Sequence, residues 1–114
     1  MEPELLDFKC NVSTNQITYR YYANNEAHIE YSHVDESIPR SFLVLLRDSV
    51  DTLNGRGCKF VVQLVLKTDW DNFLTASRWR IRESVNVDNN ECLVVECNMA
   101  DVIECIASGL GINF

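Results

Sequence analysis

The sequence predicts an α+β domain in which one amphipathic helix packs on an antiparallel sheet of about four strands. Three observations carry that reading. Apolar residues recur at helical spacing between Ser37 and Leu53. From Cys58 onward the chain is rich in β-branched and aromatic runs broken by polar turns. The last two of those runs, taken as a hairpin, are apolar on both faces. At 114 residues the chain is long enough for one domain with its own core.

The helix is the clearest element. Ile38, Phe42, Leu45, Leu46, Val50 and Leu53 form one apolar stripe, while Arg47, Asp48 and Asp51 fall off it. Ser37 suits the N-cap, Pro39 the first turn, and Asp35-Glu36 put negative charge near the helix start. Asn54-Gly55-Arg56-Gly57 reads as a helix stop and turn.

Strands are expected at Cys58–Thr68, at Phe73–Glu83, at Glu91–Cys97 and at Val102–Ser108. In the second, Phe73, Thr75, Ser77, Trp79 and Ile81 share one face and Arg78, Arg80 and Arg82 the other. Val87-Asp88-Asn89-Asn90 is a turn. If Met99-Ala100 closes a hairpin, Cys97 faces Val102 and Val94 faces Cys105. Both sides of that hairpin are then apolar. One helix covers one side, so a second copy of the chain is the expected cover for the other. Before the helix, Gln16–Tyr22 has strand propensity and Asn24-Asn25 breaks it. Residues 1–36 are otherwise read as an irregular or strand-like arm.

Composition narrows the function. Ten basic against seventeen acidic residues give a net charge of −7, the wrong sign for a phosphate-backbone partner. Arg78, Arg80 and Arg82 read as a solvated strand face that keeps an edge soluble. The five cysteines (Cys10, Cys58, Cys92, Cys97, Cys105) are odd in number and lack a CxxC pair. Reduced thiols packed as small hydrophobes are therefore expected, not disulfides or zinc ligands. No apolar run approaches a membrane span, and the acidic start, Met1-Glu2-Pro3-Glu4, does not look like a signal or transit peptide.

Catalytic motifs are weak. A Cys–His pair would need His28 or His33, which lie in the least regular stretch, and no glycine-rich elbow precedes a cysteine. The Asn54–Gly57 turn closes a helix, whereas a phosphate cradle opens one. Glu83, Asp88, Glu91, Glu96 and Glu104 are dispersed as a soluble surface would have them.

Residues 37–114 resemble the Tctex-type dynein light chains. The likeness rests on Lys59-Phe60-Val61-Val62, on Leu74-Thr75-Ala76-Ser77, and on the ending Cys105-Ile106-Ala107-Ser108-Gly109-Leu110-Gly111-Ile112-Asn113-Phe114. The resemblance implies a strand-exchanged homodimer, a Tctex-like unit over 37–114 behind the 1–36 arm, and a non-catalytic adaptor without a cofactor. Such an adaptor binds an extended segment of the dynein intermediate chain, or of a cargo adaptor, by β-strand addition. It also implies a cytoplasmic, cytoskeleton-associated protein. The expected peptide edge is Leu93, Val94, Val95 and Glu96 with Trp79 as a pocket wall; the expected dimer interface is Thr75, Ser77, Ile81, Ile103 and Cys105. The alternatives are an assembly subunit of a non-dynein complex and a small α+β enzyme using a cysteine.

Overall fold

A computed structural model describes residues 2–35, 41–70 and 78–110. Nine elements follow in order: β1 Glu4–Lys9, β2 Gln16–Tyr21, β3 Glu26–His33, α1 Ser41–Gly55, β4 Phe60–Leu66, the short α2 Lys67–Trp70, β5 Arg80–Val87, β6 Asn90–Asn98 and α3 Met99–Leu110. The strands form one six-stranded sheet in the order β1-β2-β3-β4-β6-β5. All neighbours are antiparallel except β3 and β4, which run parallel and are joined through α1. The α+β class stands; the four-stranded antiparallel sheet does not, because the sheet is mixed and has six strands. Among the described residues, no helix is long and apolar enough to cross a membrane.

Residues 4–33, expected as an arm, form a three-stranded meander. In β1, Leu6 and Phe8 turn inward while Asp7 and Lys9 face out. In β2, Ile17 and Tyr19 are buried between polar neighbours. Asn25 takes a left-handed conformation in the turn to β3. Phe8 meets Tyr19 edge-on, ring centroids 6.0 Å apart.

The helix stripe behaves as expected where it is described. Leu45, Val50 and Leu53 are buried on the sheet. Each such side chain contributes about 1.5–3 kcal/mol by leaving water. The helix stops where Gly57 adopts φ 82°, and the Cys58 N–H turns back to the Leu53 carbonyl at 3.0 Å. Ser37, Ile38 and Pro39 lie outside the described residues.

One large correction concerns the C-terminal end. Val102–Ser108 is helix, not strand, so the expected hairpin with Glu91–Cys97 does not exist. The physical cause is a cap. The Asn98 side-chain oxygen accepts the Asp101 N–H at 2.9 Å, and Asp101 Oδ2 accepts the Asn98 amide at 3.0 Å. The chain therefore passes from β6 into α3 with no turn. Met99, Val102 and Ile106 then bury one helical face beside α1 on the same side of the sheet. With that hairpin gone, so is the doubly apolar surface on which a second copy was expected.

The β5–β6 turn falls at Asp88-Asn89, both left-handed, as a two-residue hairpin loop requires. The strand expected at Phe73–Glu83 begins at Arg80; Thr75 and Ser77 lie outside the described residues. On the sheet face away from the helices, charged groups are paired. Arg82 binds Glu26 and Glu96, and Arg20 binds Glu30.

Candidate functional site

The parallel pair is where the sheet opens. β3 and β4 share three register pairs, Glu26↔Phe60, Ala27↔Val61 and His28↔Val62. Beyond them β3 runs on to His33 beside β2, and β4 runs on to Leu66 beside β6. The two strands therefore part and leave a wedge at their C-terminal ends, the side of a parallel sheet on which ligands collect.

The cause of the parting is local. In the β2–β3 ladder Thr18 faces Tyr31 while Tyr19 faces Ile29, which leaves Glu30 as an extra residue on β3. A bulge bends its strand and increases its twist. Here it falls one residue past Ile29, just where pairing with β4 has ended.

Below the wedge lies a cavity of about 290 Å³. Its floor is the sheet, with Ile17 and Val61; Phe42 and Leu46 of α1 and Val102 and Ile106 of α3 form its walls. At the wedge its wall carries Ser32 from β3 and Gln63 from β4. Trp79 adds a large apolar wall, and it follows a residue that is tied down. Arg78 binds Glu104 through two contacts of 2.8 and 3.1 Å and Asp101 at 3.3 Å, fastening this segment to α3.

Three buried polar side chains tie the surrounding elements together, and of these Tyr19 lines the cavity. The Tyr19 hydroxyl is 3.0 Å from Ser49 Oγ. Ser49 donates its own proton to the Leu46 carbonyl at 2.7 Å, so Tyr19 is the donor in the pair. Burial pushes the Tyr19 pKa up to about 12, and its proton is committed to Ser49. Asn15, fully buried, donates to Ser41 Oγ and accepts the Asp35 N–H, which holds both ends of the β3–α1 connection to the β1–β2 loop.

The predicted site residues are scattered. Leu93, Val94, Val95 and Glu96 belong to β6, which is hydrogen-bonded to β4 on one side and β5 on the other. That strand is interior, so its backbone has no free edge. Ile81 is exposed on β5, and Ile103 packs against the core from α3. Of the described predicted residues, Ile81 pairs with Val95 across the β5–β6 ladder, and Trp79 and Cys105 both line the cavity.

Cys10, half-buried in the β1–β2 loop, has its thiol pKa lowered by the Ser13 side-chain hydrogen bond and then by the Val12 backbone, but it does not line the cavity. The other cysteines are not set up as nucleophiles. Cys58, Cys92 and Cys97 are buried, and burial drives the Cys97 thiol up to about 12. Cys105, half-buried, is raised as well, mainly by burial. Among the described residues no group of His, Cys, Asp and Glu is arranged to hold a metal ion.

Ile29, Ser32, Gln63 and the Tyr19–Ser49 pair escaped the sequence reading. One signal was present. Ser49 sits on the buried stripe of α1 beside Val50, and a polar residue there calls for a buried partner.

No family model and no curated protein sequence matches the chain. Solved structures do. The ribosomal-protein-S18-alanine N-acetyltransferase of Escherichia coli superposes with a TM-score of 0.63 at 14% identity, over 83% of this chain and 69% of its own. A Bacillus anthracis protein described as a streptothricin acetyltransferase, solved with acetyl coenzyme A, gives 0.63 at 11%, over 85% and 64%. A Desulfovibrio desulfuricans protein described as a GNAT-family acetyltransferase gives 0.62 at 9%, over 83% and 69%. These neighbours overturn the resemblance to Tctex-type dynein light chains. With it go the non-catalytic, strand-adding homodimeric adaptor, the dynein intermediate-chain partner and the cytoskeletal role. The α+β fold, a six-stranded mixed sheet with three helices, is GNAT-like.

Proposed function

We propose that this chain is an acyl-transfer enzyme whose wedge between β3 and β4 receives the extended arm of an acyl thioester. The observation that carries the reading is the parting of two parallel strands directly above an apolar cavity. Strand edges beyond the last register pair present peptide N–H and C=O groups to whatever enters. A pantetheine arm is a narrow chain with two amides, so it can pair with such edges much as a short strand does. The acyl-transferring neighbours, one of them solved with acetyl coenzyme A, agree with this use of the fold.

The arm fits; the nucleotide end of coenzyme A fits less well. A backbone cradle for a diphosphate needs glycine where a helix opens. The stretch 34–40 contains none, and carries Asp35 and Glu36 against the single Arg40. The donor is therefore read as an acyl thioester recognised by its arm.

The chemistry is aminolysis. An acceptor amine adds to the thioester carbonyl, the carbon–sulfur bond breaks, and sulfur leaves as the thiol with the proton that the amine gives up. No carboxylate or imidazole lines the cavity among the described residues. What this chain supplies is positioning: the donor held in the wedge with its carbonyl near Ser32 and Gln63.

Titration of the amide spectrum with acetyl-pantetheine and with acetyl coenzyme A tests the reading. Shifts should concentrate in residues 29–33 and 63–66, with comparable affinity for the two donors. If neither donor binds, or the shifts lie elsewhere, the reading fails.

A further inference from the structure

We propose, resting on the acyl-transfer reading above, that the acyl group this site accepts is an unbranched apolar chain of roughly eight carbons, lodged between α1 and α3. The cavity measures about 290 Å³. At about 30 Å³ for a water-sized group, it has room for several methylenes. An acetyl group would leave most of that space without partner atoms, losing the contacts that a filled apolar site makes.

The lining is graded in polarity. Ser32 and Gln63 stand at the wedge, whereas Leu46, Val102 and Ile106 form the end under the helices. A thioester carbonyl is better placed at the first end and a hydrocarbon chain at the second, which sets the direction in which a donor enters. Cys105 lies along the wall between α3 and the sheet. Its thiol is kept protonated by burial, so it packs as a small apolar group.

The test is a series of pantetheine thioesters (acetyl, butyryl, hexanoyl, octanoyl and palmitoyl) titrated into the full chain. Affinity should rise about fourfold per methylene from acetyl toward octanoyl, and should gain nothing more at palmitoyl. Cys105→Phe, which places a ring in the cavity, should bring the octanoyl-to-acetyl affinity ratio close to one. An independent measurement uses the unmodified chain. Octanoyl-pantetheine should slow labelling of Cys105 by a small thiol reagent, read by peptide mass, and acetyl-pantetheine should not. Equal affinity for acetyl and octanoyl donors, or equal protection of Cys105, overturns the chain-length proposal and leaves acyl transfer standing. Failure of every thioester to bind overturns both.

Discussion

Glu30, the extra residue that bends β3, is gripped by Arg20 of the neighbouring strand. Arg20 Nε lies 2.9 Å from Glu30 Oε2, and an Nη meets the other carboxylate oxygen. The fork holds the bulge on the face of the sheet away from the helices, while the wedge opens toward β4. Each partner favours the charged form of the other: the guanidinium lowers the Glu30 pKa, and the carboxylate raises that of Arg20.

Deleting Glu30 should restore regular β2–β3 pairing and narrow the wedge. Donor affinity is expected to fall at least about tenfold, a loss of roughly 1.4 kcal/mol in binding, while circular dichroism stays that of the native chain. Arg20→Ala should do little to thermal stability, because the pair is solvent-exposed and strongly screened. A folded Glu30 deletion that binds donor as before would show that the bulge is not what opens the sheet.

Tyr19 and Ser49 give a thermodynamic test of the core. Tyr19→Phe removes a donor, yet Ser49 keeps its bond to the Leu46 carbonyl, so the cost should be about 1 kcal/mol. Ser49→Ala leaves the buried Tyr19 hydroxyl without its acceptor, and about 2–3 kcal/mol is expected. The double variant should be less destabilised than the sum of the singles. Urea unfolding of all four chains measures this; strict additivity would mean that the two hydroxyls do not interact. In the wild type, Tyr19 should titrate above the ordinary tyrosine range, with its midpoint pushed up to about 12 by burial.

Legibility in the sequence followed the range of the interactions. α1 was readable because its apolar stripe and its Gly57 stop are local. β2, β4, β6 and the Asp88-Asn89 turn were readable for the same reason. α3 was misread because Val102, Ile103, Cys105 and Ile106 have strand-like propensity, and propensity is a weak guide against capping and packing. Yet Asn98 with Asp101 three residues on is a helix-start pattern, and Met99, Val102, Ile103 and Ile106 repeat at helical spacing. The wedge was beyond reach, since it arises from the β2–β3 register and the parallel β3–β4 pairing, neither of which a single strand's composition encodes.

The cap itself can be weighed. Asn98→Ala should cost about 1 kcal/mol. Asn98→Asp keeps the acceptor for the Asp101 N–H but loses the bond to Asp101 Oδ2 and sets a second carboxylate beside it, so it should recover only part of that cost. Hydrogen exchange should show the loss first in the amides of residues 99–102. If Asn98→Ala leaves both stability and exchange unchanged, the reciprocal bonds with Asp101 do not start the helix.

Acid should attack the far face of the sheet. Arg82 joins Glu26 by contacts of 2.9 and 2.7 Å and Glu96 by contacts of 3.2 and 2.8 Å, and His28 Nε2 lies 3.3 Å from Glu26. The Arg82 hydrogen bonds, and secondarily His28, hold the Glu26 carboxyl below its ordinary range. A depressed carboxylate binds its proton more readily when unfolded. Its contribution is therefore complete above about pH 4.3, the unfolded value for Glu, and is lost as pH falls through the lower folded value. Arg82→Ala should cost about 1–3 kcal/mol at neutral pH by removing charge-assisted bonds and leaving Glu26 beside Glu96 without their shared cation. The same variant should cost little near pH 3. Glu26→Gln should flatten the acid limb of the stability curve, with Glu96 left as the remaining partner of Arg82. Urea unfolding of the three chains between pH 3 and 7 (about one point per half unit) reads the linkage directly. An acid limb with the same slope in Glu26→Gln as in the wild type would assign the acid sensitivity to other carboxylates.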